Sequence, residues 1–199
     1  MAVRSSTDGV RASARRRHPG GEPAPDPIRG RGPDRAPVPA ALDSGLRRND
    51  ERVEAIVAEA RSWAGTPYRH QASAKGAGCD CIGLIRGVWR AMVGPEPERL
   101  PAYSRDFGAT AGLEPLLAVA RRRLIAIDPG DAGPGDVLVF RMQRHVPAKH
   151  AAILTAAGSS GAAGARMIHA REGTGVVEVS LDPWWARRIV AAFRFPGAH

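Results

Sequence analysis

Apolar residues recur at helical spacing from Glu51 onward: in ERVEAIVAEARSWAG, Val53, Ile56, Val57, Ala60 and Trp63 fall on one face. A second helix is predicted over DCIGLIRGVWRAMVG at 80–94, with Ile82, Leu84, Ile85, Val88, Trp89 and Met92 as its stripe and Asp80 at the N-cap position. A third is predicted in GLEPLLAVARRRLIAID, where Leu113, Leu116, Leu117, Ala120 and Leu124 share a face and Asp128-Pro129-Gly130 ends the run. A glycine-punctuated loop, GTPYRHQASAKGAG, separates the first two, and a proline-rich connection, PEPERLPAYSRDFG, the second and third. From Gly135 the pattern shortens to period two or to short apolar runs, giving strand candidates at 135–142, 150–156, 166–170, 175–181 and 189–195. GSSGAAGA reads as a flexible hairpin connection, and Pro183-Trp184-Trp185 as a turn or short helix. Helices first and strands after, without alternation, predict an α+β fold with an antiparallel sheet.

Residues 1–50 have another texture: Arg, Pro, Gly and Asp with scarcely any large apolar side chain, too little to offset the entropy of ordering. They are expected to be a disordered basic extension, and VPAALDSGLRRNDE resembles translated intergenic repeat, the mark of a misplaced start. Residues 51–199 are expected to form one domain. The net charge of +9 divides accordingly: ten arginines against six acids give +4 for residues 1–50, and nineteen basic against fourteen acidic residues leave +5 for the rest. A mildly basic domain with scattered arginines speaks against a nucleic-acid partner and suits an anionic envelope polymer. No run reaches the roughly 18 apolar residues of a membrane span, and no apolar core of an export signal is found near the start, so synthesis is expected in the cytoplasm without a signal peptide.

Two cysteines, Cys79 and Cys81, stand too close to close a useful loop. Cys81 lies in the first turn of the second predicted helix, where backbone N–H groups and the helix dipole favour a thiolate and can also hold an oxyanion. A thiol nucleophile needs a proton acceptor near neutrality, the work of histidine. His150 opens one strand candidate and His169 lies near the end of its neighbour, so antiparallel pairing would bring both imidazoles to one face, directed toward the helix. Cys, His and a third polar group orienting that His form the general cysteine-hydrolase triad.

In chain order, GTPYxxxA, GCDCIGL, PGDVLVF, KHAAI and MIHA resemble the NlpC/P60 family of peptidoglycan-cleaving, papain-like peptidases. More narrowly, HQASxKGxGCDCxGLxRGVWR and WWxRRIxxAFRF are similar to its phage-type and gene-transfer-agent cell-wall peptidases; the resemblance spans roughly residues 53–196. It implies a papain-like core with N-terminal helices packed on a five- to six-stranded antiparallel sheet, no cofactor and no metal. It implies Cys81 as nucleophile, His150 as base, His169 as third member and Tyr68 at the oxyanion site, with Asp80 and His70 beside the substrate. The implied substrate is the stem peptide of peptidoglycan, and the implied partners are phage-like tail proteins, in a particle acting on the periplasmic wall. The sequence departs from the family where Ile82 replaces the usual Ser after the nucleophile and where His70-Gln71-Ala72 replaces a Gly pair; both changes bear on the substrate pocket.

Other readings stay open on the residues themselves. Cys79, Cys81, His150 and His169 count out to four N/S ligands, as in a structural zinc site, which would make the chain a zinc-stabilised tail component. A wall-binding module without turnover, and a different thiol acyl transferase or amidase, are the remaining alternatives. Cys79, His145, Trp184 and Trp185 read most simply as packing or loop residues.

Overall fold

The computed structural model describes residues 40–98, 103, 114–158 and 164–197, with side chains from Arg47 onward. Helix α1 (Ala40–Arg61) begins well before the expected boundary at Glu51. Ala40, Ala41, Leu42 and Leu46 are good helix formers, and adding turns to a helix already fixed by its packed half costs little. Its buried face carries Ile56, Val57 and Ala60, followed by Trp63. Residues 1–39 lie outside the described residues, as do Leu113 and residues 159–163 of the expected hairpin loop.

The loop after α1 contains a small hairpin, β1 (Ser73–Ala74) and β2 (Gly78–Cys79). Helix α2 (Cys81–Met92) follows, then α3 (Pro115–Arg123). The third helix stops earlier than its apolar periodicity suggests: Leu124 is already extended, and β3 (Ile125–Ile127) pairs antiparallel with a later strand. The β-branched pair Ile125 and Ile127 alternates with period two, and a sheet edge supplies the backbone partners that a helix would otherwise provide.

Strands β4 (Val137–Phe140), β5 (His150–Ala156), β6 (Arg166–Arg171), β7 (Gly175–Ser180) and β8 (Ile189–Arg194) complete a six-stranded antiparallel sheet of order β3-β8-β4-β5-β6-β7, with a single turn of helix, α4 (Pro183–Ala186), before β8. One face, through Val137, Val139, Ile153, Ile168 and Phe193, packs on Ile56 and Ala60 of α1, Leu84 and Val88 of α2, and Leu116 and Leu117 of α3. The other, through Leu138, Phe140, Ala152, Leu154 and Met167, is covered by Leu181 and Trp185. Strand β4 is buried on both faces, which explains its unbroken apolar run VLVF.

Two local devices fix the frame of the sheet and of α2. Asp136, almost fully buried, accepts from Gly133 N and forms a two-pronged pair with Arg194 at 2.8 Å, joining the turn before β4 to β8. Gly87 lets α2 approach Trp63 so closely that a Cβ there would lie 2.0 Å from the indole Cζ2. Intrinsic helix propensity favours Ala over Gly by about 1 kcal/mol, whereas overpacking costs about 1–3 kcal/mol. Gly87→Ala is therefore expected to lower stability in urea unfolding; a stabilised variant would show that the Trp63 contact is loose.

Candidate active site

Asp80 caps α2: its Oδ1 accepts Gly83 N at 2.7 Å, as the sequence pattern predicts. Gly83 is required next to the cap, because a Cβ there would lie 1.9 Å from the Ala72 carbonyl oxygen. The first helical residue is Cys81, only 9% exposed. Its sulfur reaches β5 at a break in the sheet. The β5–β6 ladder pairs Ile153 with Ile168 and continues toward Ala156 and Arg166, so the opposite end, 150–152 against 169–171, carries no register pair. There the Cys81 thiol donates to the Lys149 carbonyl at 3.8 Å, and the Ala151 N–H faces the sulfur. The nucleophile candidate thus contacts the backbone on both sides of His150.

His150 and His169 share one sheet face as expected, but it is the face of Ala152 and Met167, turned away from the three packed helices, because Ala151 and Ile168 alternate with them onto the helix side. The diverging strand ends let them meet, with His150 Nε2 2.8 Å from His169 Nδ1 and ring centroids 5.0 Å apart. One ring must donate and the other accept, so a proton sits on one of these two nitrogens. His169 is 1% exposed and His150 partly exposed. Trp185 packs 5.5 Å from the His150 ring and 5.1 Å from that of His169, and Phe140 packs 5.9 Å from His150. These walls come from a strand and a short helix far apart in sequence; the Pro183-Trp184-Trp185 string gave the only hint. Trp184 is 44% exposed, with the Arg188 guanidinium stacked 3.8 Å from its ring.

The resting electrostatics differ from the expectation of a helix-activated thiolate. Burial, aided by the negative charge of Asp80, pushes the Cys81 thiol up to about 12, although the N–H groups of Ala151, Ile82 and Cys81 itself oppose the shift. Burial lowers His150 to about 3, with His169 adding to the effect, and lowers His169 to about 4, with Arg171 adding to it. Burial thus disfavours the charged form of the thiol and of both imidazoles. Among the described residues, no hydrogen bond joins the thiol to either ring; its partners are backbone groups.

The remaining site residues fall into place around the cap. Tyr68, partly buried, bridges in parallel to Cys79, two residues before the nucleophile candidate. His70 makes a structural contact: its Nε2–H donates to the Tyr103 carbonyl at 2.8 Å, while Nδ1 lies 3.6 Å from Asp80 Oδ2. Cys79 is fully buried in the core between the helices and the sheet, and burial raises its thiol to about 11. The four side chains counted as a zinc set do not converge, since Cys79 packs on the helix side of the sheet and the imidazoles on the other. Among the described residues, no group of three or more His, Cys, Asp or Glu is placed to hold a metal ion, and no helix is long and apolar enough to cross a membrane.

A six-stranded antiparallel sheet with helices on one face and a cysteine at a helix start beside a histidine strand defines an α+β fold matching NlpC/P60 domain structures. The NlpC/P60 family model matches residues 65–194, and the chain belongs to that family, whose members are generally cell-wall peptidases. Among solved structures it is similar to the NlpC/p60 domain of the peptidoglycan hydrolase SagA, at 25% identity and a TM-score of 0.50 over 72% of this chain and 98% of that one. An NlpC/P60 family protein from Bacillus cereus ATCC 10987 matches at 20% identity and a TM-score of 0.50, over 72% of this chain and 40% of that one. This chain thus spans well under half of the Bacillus cereus protein. Among curated proteins, none matches.

Neutral buried histidines make stability depend on pH. Their folded values lie below the ordinary 6.5, so the unfolded chain binds more protons in acid. Their contribution is full above about 6.5 and is lost as pH falls toward the folded values, by up to about 1.4 kcal/mol per pH unit for each group. Urea unfolding between pH 7 and 4.5 should show a shallower loss in His169→Gln than in the wild type. Parallel curves would mean that His169 takes up its proton alike in the folded and unfolded chain.

Proposed function

We propose that this chain is a cysteine peptidase that hydrolyses amide bonds in the stem peptides of peptidoglycan, with Cys81 as nucleophile, His150 as acid and base, and His169 as the group orienting it. The observation that carries this reading is the Cys81 sulfur lodged against the backbone flanking His150, whose ring is hydrogen-bonded to His169. When His150 donates from Nε2 to His169 Nδ1, its own Nδ1 keeps a lone pair, the form a general base needs. Because burial disfavours a separated thiolate and imidazolium, proton transfer accompanies attack: Cys81 Sγ bonds to the carbonyl carbon as its proton passes to His150. The peptide C–N bond then breaks, and His150 returns the proton to the leaving amine. Water, deprotonated by His150, next attacks the thioester and releases the carboxylate product and free Cys81. The Cys81 N–H and the Tyr68 hydroxyl are the donors for the transient oxyanion.

The narrower assignment, to the phage-type and gene-transfer-agent peptidases with a place in a tail-like particle acting on the periplasmic wall, is supported by the strings HQASAKGAGCDC and WWARRI. In the fold these strings supply His70 and Gln71 beside Asp80, and Trp185 against both imidazoles. The net positive charge of residues 51–199 suits the anionic wall.

Purified sacculi incubated with the protein should release new amino groups. Cys81→Ala and His150→Ala should lose about 10³-fold or more of that rate. His169→Asn, which keeps an acceptor near the Nδ1 position, should retain more activity than His169→Ala. Full activity in Cys81→Ala would remove the nucleophile assignment, and binding to sacculi without release would favour a wall-binding component.

A further inference from the structure

One buried polar group next to the nucleophile candidate is not accounted for by the steps above. Tyr103 is 6% exposed, and its hydroxyl donates to Asp80 Oδ2 at 2.6 Å. The same oxygen accepts the Gln71 N–H at 2.6 Å, and Asp80 Oδ1 accepts Gly83 N. Asp80 is therefore a buried carboxylate held by three donors from three parts of the chain. The main chain of Tyr103 is fastened as well: its carbonyl accepts from His70 Nε2 and from the Gln71 side chain. Gln71 adopts a φ of +63°, a left-handed conformation uncommon for a residue with a Cβ, which its two contacts hold in place.

Such an anchorage exceeds what capping a helix requires. An N-cap side chain normally needs only the helix N–H groups it accepts. The Asp80 charge stands beside a residue that must itself become negative, and that charge opposes ionisation of the adjacent thiol. A hydrogen bond from a neutral phenol draws the carboxylate charge toward Oδ2. The ionisable groups around this point are His70, with Nδ1 3.6 Å from Asp80 Oδ2; Cys79 and Cys81, both acted on by the Asp80 charge; and Arg86, whose charge acts on Tyr103. Tyr103 differs from all of these in donating a side-chain hydroxyl to Asp80.

We propose that Tyr103 is a positioning residue for the nucleophile: its hydroxyl fixes the Asp80 cap and takes up part of the Asp80 charge, lowering the cost of forming the Cys81 thiolate at the start of α2. The proposal rests on Cys81 being the reacting group, and the sacculus assay of Cys81→Ala tests that separately.

The test reads thiolate formation directly, as the rate of iodoacetamide alkylation of Cys81 in the full chain at pH 8, with Cys81→Ser giving the background from Cys79. Tyr103→Phe keeps the ring and removes the donor, and the rate should fall about threefold, the equivalent of half a pH unit. A cap that merely loosened would admit the reagent and raise the rate. The second variant, 3-fluorotyrosine at position 103, keeps the packing and strengthens the donor, and should raise the rate with unchanged thermal melting. In sacculus hydrolysis, Tyr103→Phe should lower kcat and leave KM within twofold. Unchanged alkylation in both variants, or a change in the same direction in both, would overturn the proposal. Should Tyr103→Phe fail to fold, the fluorotyrosine variant decides alone: a rate at or below that of wild type overturns the proposal.

Discussion

The site depends on a place where two strands stop pairing. β5 and β6 are bonded at Ile153 and Ile168, but toward His150 and His169 they part, which leaves backbone groups that need partners. The N-terminus of α2 fills the gap, with the Cys81 sulfur against Lys149 O and Ala151 N–H. The parting also gives the two imidazoles room to lie nitrogen to nitrogen. A fully zipped sheet would pair Ala152 with His169 and leave no opening for the thiol. The depth of α2 is set in turn by Gly83 and Gly87, where any side chain would meet the Ala72 carbonyl or the Trp63 ring. The chemistry of the site follows from packing that brings a helix end into a sheet defect.

Enclosure has an electrostatic consequence. Burial acts on the thiol and on both imidazoles in the direction that disfavours charge, and Asp80 adds to it at Cys81. The N–H groups at the helix start oppose this without reversing it. Under the proposed function, the ionic form is confined to the moment of attack, when a substrate carbonyl supplies the developing oxyanion and the N–H donors act on it. Keeping the thiol protonated at rest also keeps it from oxidation, which proceeds through the thiolate.

Much of this was legible in the sequence, for reasons that can be named. The helical stripe of α2 and its Asp80 cap, and the short apolar runs of β5 and β6, are local patterns. Antiparallel pairing then follows from the order of elements, and with it the meeting of His150 and His169 on one face. The turn of chain at Leu124–Ile127 was misread because four apolar residues continue a helical stripe as readily as they make an edge strand; the choice is made by β8, nearly seventy residues away. The earlier start of α1 escapes the hydrophobic pattern because an exposed stretch of helix, such as Arg47, Arg48 and Asp50, carries no apolar stripe. The contacts of His70 with Tyr103 and Asp80 cross a loop and follow no local pattern. Tyr103 carried no signal at all: it stands in a proline-rich connection, and only the tertiary fold brings its hydroxyl to the cap. The effect of burial on the thiol and imidazoles was equally hidden, since a helix terminus can be read from sequence and the depth of its burial cannot.

The central claim is that Cys81 attacks the carbonyl of a wall peptide and carries its acyl fragment. Rapid acid quenching during turnover of purified muropeptides, followed by mass spectrometry of the protein, tests it most directly. The account predicts a transient adduct with the mass of the amino-terminal fragment, mapped to Cys81 and removed by hydroxylamine as a thioester is. Turnover at full rate with no adduct at any quench time, or an adduct mapped to another residue, would contradict it.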